Sequence, residues 1–429
     1  MTPNEHAVAI RAEIVRAQEL MRQGSLEAAD AVLGQALSKI PGDPDVLYLR
    51  GVIANRRRDH VTAIAVLRQS VAARPTSARA WLALGNAYAQ SGEPAPAVDA
   101  YREVLAREPE WPDAHYNLGL ILKRQGDFAG AMHAFYSAWV LDPAQRDGGK
   151  QCVDTTGAWV RAGGTALEIA PVELGPTPPS FSIVVCSIDE TKLQRITATY
   201  RRLFTGIDYE IVSIRNARSL AEAYNWAIRH SSRDMVVLSH DDIDFLAPDL
   251  AARLVLHLQR FDAMGIVGGV RMTGPTPGWS GHPHLRGWVT HRSPEEAVWR
   301  ADVLSRSPVA GDIVVLDGVF LAGRRDVFNA VPFDAQTFDG FHLYDVDWSY
   351  RAAQAGFRLG AAGDLLLVHE SRGRYDDRWQ RYADRFYAKH ALPYVAPPTE
   401  GSFFEATFAT ADEVRRFYAQ LTALHRGFS

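Results

Sequence analysis

A short stretch of the chain, residues 236–244, combines an apolar run with three closely spaced carboxylates. Asp241, Asp242 and Asp244 follow directly after apolar residues that have the character of a short buried strand. Like charges a few ångströms apart raise one another's pKa, so such a cluster is unfavourable without compensation. Carboxylate oxygens suit Mg²⁺ or Mn²⁺, and a divalent cation removes the repulsion. The stretch is therefore either a metal site or a solvated acidic turn, since Asp is also common in turns.

The acidic stretch lies in a region where apolar strands alternate with helical patterns, which predicts a parallel α/β sheet. Ligands of open α/β sheets lie at the carboxyl ends of the strands, where the three carboxylates also fall. Residues 271–310, rich in Gly, Pro, Trp and His, are predicted to form a long loop or flap. The predicted strands are 181–186, 209–214, 234–239, 264–270, 312–321 and 365–368, and the predicted helices are 190–204, 219–230, 248–260 and 343–355.

Polar side chains also follow the first two predicted strands. Ser187 and Asp189 come after the first strand and Asn216 after the second, where a nucleoside would lie. No GxGxxG motif follows the first strand, and neither GxxxxGK[ST] nor GxSxG occurs in the sequence. Dinucleotide binding, P-loop chemistry and a serine-hydrolase elbow are therefore unsupported.

The first third of the chain repeats with a period of 34 residues. This register predicts four helical hairpins over residues 8–143, which stack to share one core. The proline of each unit would end the second helix of its hairpin. The residues that recur are Pro41, Pro75, Pro109 and Pro143; Ala29, Ala63, Ala97 and Ala131; Gly51, Gly85 and Gly119; Leu33, Leu67, Tyr101 and Phe135; and Gly24, Gly92 and Gly126, with Arg58 at the equivalent position of the second unit. Such an array typically grips a protein partner, and the alternative use is to form a homodimer.

The composition describes an ordinary globular protein. The chain has 429 residues, 47% of them hydrophobic, and a formal net charge of -4, so electrostatics favour neither nucleic acid nor an anionic membrane. Two cysteines, Cys152 and Cys186, are too few for a disulfide framework and fit a reducing cytoplasm. We expect no signal peptide and no transmembrane segment, because no apolar run approaches the ~20 residues that a membrane helix needs.

Glycine and proline mark the boundary between two domains. Residues 144–180 are predicted to be a linker, with a helix at 151–161 that closes the last repeat. Residues 181–395 form the second domain, and residues 396–429 a C-terminal segment. The apolar spacing in this segment predicts an amphipathic helix over 411–425, packed on the domain through Val414, Phe417, Leu421 and Leu424.

Both parts of the chain resemble known families. The 34-residue pattern resembles the tetratricopeptide repeat, most closely in its third unit. Residues 181–390 resemble an inverting glycosyltransferase of the family 2 type, which has the GT-A fold. The segments that carry the second resemblance, in the order of the family, are 182–187, 219–225, 240–244, 316–320 and 344–348, followed by Arg351 and Gly356.

The resemblance implies a nucleotide-sugar donor, most typically UDP-linked, and a hydroxyl acceptor on a protein or a glycan. It also implies a divalent cation, Mn²⁺ or Mg²⁺, held by the DXD motif at residues 240–244, where His240 replaces the first aspartate of the family. The implied metal ligands are Asp242 as the main one, Asp244 and Asp241 in support, and His369 after the last strand. The alternative for His369 is a core or hydrogen-bonded histidine.

By its position in the resemblance, Asp345 is the base that deprotonates the acceptor hydroxyl, and Tyr344 precedes it where the family usually has an acid. The alternative for Asp345 is a negative charge that stabilises the dipole of its helix. The implied donor contacts are Ser187, Asp189, Asn216, Asn225, Arg372 and Arg374, although the two arginines also fit a solvated loop. The implied sugar contacts are Asp317, Gly318 and, by aromatic stacking or else only local packing, Trp288.

The sequence therefore predicts a cytoplasmic, metal-dependent glycosyltransferase whose repeats recruit a protein acceptor or partner. The alternative is a non-catalytic interaction scaffold or dimerisation module, in which the α/β domain has kept its fold and lost turnover.

Overall fold

The computed structural model describes residues 3–165, 170–292, 297–371, 376–393, 395 and 403–428. The chain divides into two compact units, Met1–Thr155 and Thr156–Ser429. The first unit is built from helices and the second from helices and mixed sheets.

Eight helices of the first unit form four consecutive pairs, as the 34-residue period predicts. Each second helix ends two residues before its proline; α2, for example, ends at Lys39 and is followed by Pro41. The helices are α1 (Pro3–Arg22), α2 (Leu26–Lys39), α3 (Pro44–Arg56), α4 (His60–Ala73), α5 (Ala78–Ser91), α6 (Pro94–Arg107), α7 (Pro112–Arg124) and α8 (Phe128–Leu141), and α9 (Arg146–Arg161) follows them.

The recurring glycines of the repeats allow the two helices of a pair to approach closely. A Cβ atom placed on Gly85 of α5 would lie 2.7 Å from Cε1 of Tyr101 on α6, which is too close for any side chain. The pairs Gly51–Leu67 and Gly119–Phe135 show the same relationship. Arg58 adopts the positive φ of 64° that the glycines adopt at the equivalent turns, so the substitution at this position retains the turn.

The second unit contains two sheets with helices on both faces of the first. Its strands are β1 (Phe181–Ser187), β2 (Tyr209–Arg215), β3 (Met235–Ser239), β4 (Ile243–Phe245), β5 (Ala263–Gly265), β6 (Val267–Gly269), β7 (Leu285–His291), β8 (Trp299–Val303), β9 (Val309–Ile313), β10 (Val315–Leu316), β11 (Phe320–Arg324), β12 (Leu359–Ala362), β13 (Leu367–His369) and β14 (Phe404–Phe408). Its further helices are α10 (Glu190–Leu203), α11 (Leu220–His230), α12 (Leu250–Leu258), α13 (Arg325–Ala330), α14 (Tyr344–Gln354), α15 (Asp377–His390) and α16 (Ala411–Arg426).

The first sheet has the strand order β2-β1-β3-β11-β5-β12-β9. Its strands β1, β2 and β3 are parallel, but β11 is antiparallel to both β3 and β5. The sheet is therefore mixed, whereas the alternation of strands and helices predicted a parallel one. Alternating residues of β1 and β3 face two separate cores, one with α11, α13, α14 and α15 and the other with α10 and α12.

The second sheet has the order β10-β6-β7-β13-β4, and β8 pairs with both β7 and β14. The prediction of a long loop at 271–310 is wrong, because β7, β8 and the start of β9 lie within it. Strand β7 runs between β6 and β13 and is largely buried. Its Gly and Trp residues therefore pack inside the domain and do not form a flap.

The C-terminal helix α16 is amphipathic, and its apolar residues Val414, Phe417, Leu421 and Leu424 are all buried. A capping box of Thr410 and Glu413 begins this helix. Among the described residues, no helix combines the length and the apolar character that a membrane crossing requires.

Candidate active site

Three segments of the second unit converge where β3 ends. Strands β3 and β11 are antiparallel with Ser239 opposite Phe320, so the chain that leaves β3 lies beside the chain that enters β11. The backbone N–H of His240 accordingly donates to the oxygen of Val319 at 3.2 Å. On the other side, β13 pairs with β4 so that His369 lies opposite Ile243.

This convergence brings together His240, Asp242 and His369, whose ligand atoms all lie within 4.8 Å of one another. Oδ1 of Asp242 is 3.4 Å from Nε2 of His369 and 3.8 Å from Nδ1 of His240. The Asp242 side chain is only 10% exposed. Among the described residues, these three form the group of His, Cys, Asp and Glu that can hold a metal ion.

Asp242 is poised to stay ionised. Burial opposes its charge, but its contacts with His369 and Ser371 outweigh burial and hold the pKa of this carboxyl well below its usual range. The pKa of His240 is lowered by burial and by the nearby His369, which favours a neutral ring. One buried carboxylate and two imidazole rings form a donor set that suits a transition-metal dication such as Mn²⁺.

The other two carboxylates of the acidic stretch lie outside this group. Asp241 accepts a hydrogen bond from the hydroxyl of Ser187, at the end of the neighbouring strand β1. Asp244 lies on β4 and is exposed, because Ile243 and Phe245 point to the core and alternation turns Asp244 the other way. The sequence predicted one acidic cluster, and the structure distributes it over three environments.

Asp345, the predicted base, lies in the first turn of α14 against the segment that precedes β11. Its Oδ2 accepts a hydrogen bond from the backbone N–H of Gly318 at 2.6 Å. Burial raises the pKa of Asp345 to about 7, and the nearby charge of Asp317 acts in the same direction. A carboxyl group with a pKa near neutrality can exchange a proton with a substrate hydroxyl at physiological pH.

Asp347, two residues along the same helix, has the opposite character. It is completely buried and accepts hydrogen bonds from Arg351 Nε at 2.8 Å and His390 Nε2 at 2.9 Å. These partners, together with Lys389, outweigh burial and lower its pKa. Asp347 therefore anchors α14 to α15, whereas Asp345 has no ion-pair partner among the residues that the structure describes.

The two predicted sugar contacts before β11, Asp317 and Gly318, shape the position of Asp345. A Cβ atom on Gly318 would lie 2.5 Å from Cβ of Asp345, so this position requires glycine. Asp317 accepts from the N–H of Val319 at 3.0 Å, which fixes its carboxylate in a turn next to the site.

Sequence reasoning did not find the contact between the two positions that depart from the family pattern. His240 Nε2 lies 3.3 Å from the hydroxyl of Tyr344. That hydroxyl donates to the backbone oxygen of Gly318 at 3.3 Å. The simultaneous departure at both positions was the only signal in the sequence that could have suggested the contact.

The predicted nucleotide contacts Ser187, Asp189 and Asn216 share one edge of the sheet, since Ser187 pairs with Arg215 in the parallel strands. The Asp189 carboxylate caps α10 by accepting from Thr191 and Lys192. Asn216 is exposed and has a positive φ of 61°. Asp189 and Asn216 are exposed at this edge, whereas Ser187 is buried and its hydroxyl contacts Asp241 and the backbone oxygen of Asp189. Arg372 and Arg374, predicted to bind diphosphate, lie outside the described residues.

Two predicted contacts have other partners in the structure. Asn225 donates to the oxygen of Phe333 at 2.8 Å and accepts from its N–H at 2.9 Å, so its amide joins α11 to the chain before α14 rather than facing a nucleotide. Trp288 is 1% exposed, stacks on Tyr418 at 5.2 Å and donates to the oxygen of Ser305 at 2.7 Å. The expectation that Trp288 contacts a sugar is therefore wrong, because its ring lies in the core.

The fold and site define a mixed α/β domain with a carboxylate–imidazole group and a separate carboxyl group of raised pKa, in a chain that also carries helical repeats. Residues 182–390 match the model of a family described as a glycosyltransferase-like family, and residues 14–78 and 82–148 match the tetratricopeptide repeat model. The chain thus joins tetratricopeptide repeats to a glycosyltransferase-like domain, which confirms both resemblances.

Several solved structures resemble part of the chain. A MamA fragment from Desulfovibrio magneticus RS-1 has 22% identity and a TM-score of 0.33, covering 36% of this chain and 86% of that one. PilF of Pseudomonas aeruginosa has 20% identity and a TM-score of 0.34, with 35% and 69% covered. YrrB, described as a TPR protein with an unusual peptide-binding site, has 18% identity and a TM-score of 0.32, with 34% and 75% covered. None of the curated proteins matches the chain.

Proposed function

We propose that the protein is a metal-dependent, inverting glycosyltransferase that transfers a sugar from a nucleotide sugar, UDP-linked, to a hydroxyl group of a protein or glycan. The observation that carries this proposal is the setting of Asp345. Its carboxyl group has a pKa raised to about 7, and it adjoins Tyr344, whose hydroxyl contacts His240 of the carboxylate–imidazole group. The proposed base and the proposed cation site thus both adjoin one short segment, residues 317–319.

In the proposed reaction, Asp345 accepts the proton of the acceptor hydroxyl. The hydroxyl oxygen forms a bond to the anomeric carbon while the bond from that carbon to the diphosphate oxygen breaks. The nucleoside diphosphate leaves with the electron pair, and attack from the opposite face inverts the configuration. The hydrogen bond from Gly318 holds the Asp345 carboxylate in place before the acceptor arrives.

Asp242 and His369 are the proposed protein ligands for Mn²⁺ or Mg²⁺, and Asp241 and Asp244 are candidates for contacts through water. A cation bound there supplies charge neutralisation for the leaving diphosphate. The fit is supported by the buried carboxylate of Asp242, which remains ionised and has a neighbouring imidazole but no Lys or Arg within 4.0 Å among the described residues.

The nucleotide is proposed to lie along the edge formed by Ser187, Asp189 and Asn216, with its diphosphate directed towards Asp242. Arg372 and Arg374 follow His369 closely in the sequence and are proposed to bind the diphosphate, since a guanidinium group matches phosphate geometry. The tetratricopeptide repeats are proposed to recruit a protein acceptor or partner.

Nucleotide release from a panel of nucleotide sugars, measured with the purified full chain, Mn²⁺ and candidate acceptors, tests the proposal. We expect release with one donor, and loss of release in Asp345→Asn and Asp242→Ala. Asp377→Asn, which changes an exposed carboxylate in the first turn of α15, is the matched control. If no donor is turned over and Asp242→Ala leaves nucleotide affinity unchanged, the domain is a non-catalytic scaffold instead.

The role of the repeats is tested by removing residues 1–155 and comparing transfer to protein and to small glycan acceptors. If the repeats recruit the acceptor, the shortened chain should no longer transfer sugar to the protein acceptor but should still transfer it to the small glycan. A change in molecular mass from dimer to monomer, with both acceptors used as before, would show that the repeats form a homodimer.

A further inference from the structure

The Tyr344 hydroxyl lies within hydrogen-bonding distance of two groups, Nε2 of His240 and the backbone oxygen of Gly318. The Tyr344 hydroxyl carries one hydrogen, which it donates to the oxygen of Gly318 at 3.3 Å. With its hydrogen directed to Gly318, the hydroxyl oxygen is left to accept a hydrogen bond from Nε2 of His240, 3.3 Å away. Within this arrangement, Nε2 of His240 carries the ring hydrogen.

The tautomer decides which nitrogen of His240 has a free lone pair. In a neutral imidazole with a hydrogen on Nε2, the lone pair is on Nδ1. Nδ1 is also the nitrogen that faces Oδ1 of Asp242, at 3.8 Å. This distance is too long for a hydrogen bond, so the two atoms face each other without satisfying each other.

The spacing of the three candidate atoms is that of ligands around one cation. Atoms bound to a metal at about 2.1 Å lie roughly 3–4 Å apart. The distances from Oδ1 of Asp242 to His369 Nε2 and His240 Nδ1 are 3.4 and 3.8 Å. The His369 side chain is 14% exposed and the His240 side chain 33% exposed, so the group faces a partly open site in which a substrate can complete the coordination.

We propose that His240 is a metal ligand through Nδ1, so that two imidazole nitrogens and one carboxylate oxygen select Mn²⁺ over Mg²⁺, and that Tyr344 is the positioning residue that fixes the His240 tautomer. This inference rests on the metal site of the proposed function. Mg²⁺ favours oxygen ligands, whereas imidazole suits transition-metal dications. The replacement of an aspartate by His240 and of an acid by Tyr344 is then one paired change: the imidazole becomes a ligand, and the phenol orients it.

Direct cation binding to the full chain tests this inference without any turnover. Calorimetric titration with Mn²⁺ and with Mg²⁺ should give at least tenfold tighter binding of Mn²⁺. His240→Ala should weaken Mn²⁺ binding by about 10- to 100-fold, and Tyr344→Phe by about tenfold, the range found when groups around metal sites are removed. His240→Asp should strengthen Mg²⁺ binding and reduce the preference for Mn²⁺. His230→Ala, an exposed histidine stacked on Trp226 at 4.4 Å, is the matched control and should bind both cations as before.

The electron spin-echo spectrum of bound Mn²⁺ provides a readout that a purely structural role would not change. The unmodified chain should show two coordinated imidazole nitrogens, and His240→Asn, which retains a polar side chain of smaller volume, should show one. Circular dichroism of each variant verifies folding, and the echo spectrum of the unmodified chain tests the ligand set even if a variant fails to fold.

Each outcome separates this inference from the proposed function. If Asp242→Ala abolishes Mn²⁺ binding but His240→Ala does not weaken it, or if the spectrum shows only one nitrogen, the inference is overturned and the metal-dependent enzyme stands. If the unmodified chain binds neither cation, with or without UDP, both are overturned. An unchanged Mn²⁺ affinity in Tyr344→Phe overturns the positioning role alone.

Discussion

The backbone N–H of Gly318 donates a hydrogen bond to Oδ2 of Asp345 across a distance of 2.6 Å. The two residues are 27 positions apart, and a Cβ atom on Gly318 would lie 2.5 Å from Cβ of Asp345. The glycine thus has two functions at once, since its N–H holds the carboxylate and its missing side chain leaves room for it.

Gly318→Ala should therefore displace Asp345 and reduce kcat. A displacement of a catalytic group by about 1 Å costs roughly 100-fold in rate when geometry limits the reaction, and Asp345 is the proposed base. The measurement is steady-state kinetics of nucleotide release, with thermal unfolding to verify the fold. Gly175→Ala, at a linker position where a Cβ atom would meet nothing within 4 Å, is the control. Equal kcat values in both variants would contradict the role given to Gly318.

Asp345→Asn should lower kcat by about 10²- to 10⁴-fold, the usual contribution of a general base. Donor affinity should change little, because the proposed role of Asp345 is a contact with the acceptor rather than with the nucleotide. Kinetics and calorimetric binding of UDP measure the two effects separately. A variant that keeps full kcat, or one that loses only UDP binding, would exclude Asp345 as the base.

The pH dependence of transfer should show the raised pKa of Asp345. The proposed base would work only when ionised, so kcat/KM at saturating Mn²⁺ should rise about tenfold between pH 6 and pH 8 for a pKa of about 7. Asp317→Asn should move this rise of kcat/KM to lower pH, because the charge of Asp317 is one cause of the raised pKa of Asp345. If the rise occurs at the same pH in Asp317→Asn, the ionisation belongs to a group other than Asp345.

The raised pKa of Asp345 also affects how the free energy of unfolding depends on pH. The direction of this effect is opposite to that of an aspartate whose pKa is lowered by a salt bridge. Between its ordinary pKa of 3.8 and about 7, the native Asp345 binds a proton that the unfolded chain releases. The contribution of this group to the free energy of unfolding therefore falls as pH rises through that window. Asp345→Asn should remove this component from a pH series of denaturant unfolding curves, and an unchanged slope would show that Asp345 is not buried as described.

The parts of the molecule that sequence alone predicts depend on local contacts. The repeats were visible because Gly85 and Tyr101, which pack against each other, lie within one 34-residue unit and recur in the same register. The amphipathic pattern of α16 was visible for the same reason. The loop prediction at 271–310 was wrong because β7 is stabilised by strands distant in sequence and carries glycine and tryptophan at core positions.

The candidate active site depends on contacts between residues that are far apart in the sequence, and these were not predicted. His240 and Tyr344 are 104 positions apart and meet only because β11 runs antiparallel to β3, a reversal that the alternation of strands and helices did not indicate. The three aspartates of the acidic stretch share a sequence motif, but the pairing of β4 with β13 turns Asp244 outward and places His369 beside Asp242. Motif spacing predicted which residue types are present, and long-range strand pairing decides which of them meet.

The close approach within the repeats predicts a stability effect for Gly85→Ala. The added Cβ atom would lie 2.7 Å from the Tyr101 ring, and overpacking of this kind costs about 1–3 kcal/mol. Thermal unfolding of the full chain followed by circular dichroism should show a lower midpoint for the helical transition. Gly34→Ala in α2, where nothing lies within 4 Å of the added atom, is the control and should be neutral or stabilising by up to about 1 kcal/mol.

Substitution of Trp288 tests whether this residue stacks on a sugar or packs in the core. Its ring is 1% exposed, lies 5.2 Å from the ring of Tyr418 on α16, and donates to the oxygen of Ser305. Trp288→Phe removes that donor and leaves a small cavity, so it should lower the free energy of unfolding by about 1–3 kcal/mol without changing KM for the donor. Trp226→Phe, at a position that is 46% exposed on α11, should leave both quantities nearly unchanged. A Trp288→Phe variant with native stability and a raised KM for the donor would show that Trp288 contacts the substrate. The C-terminal helix α16 would then have to move away from this residue.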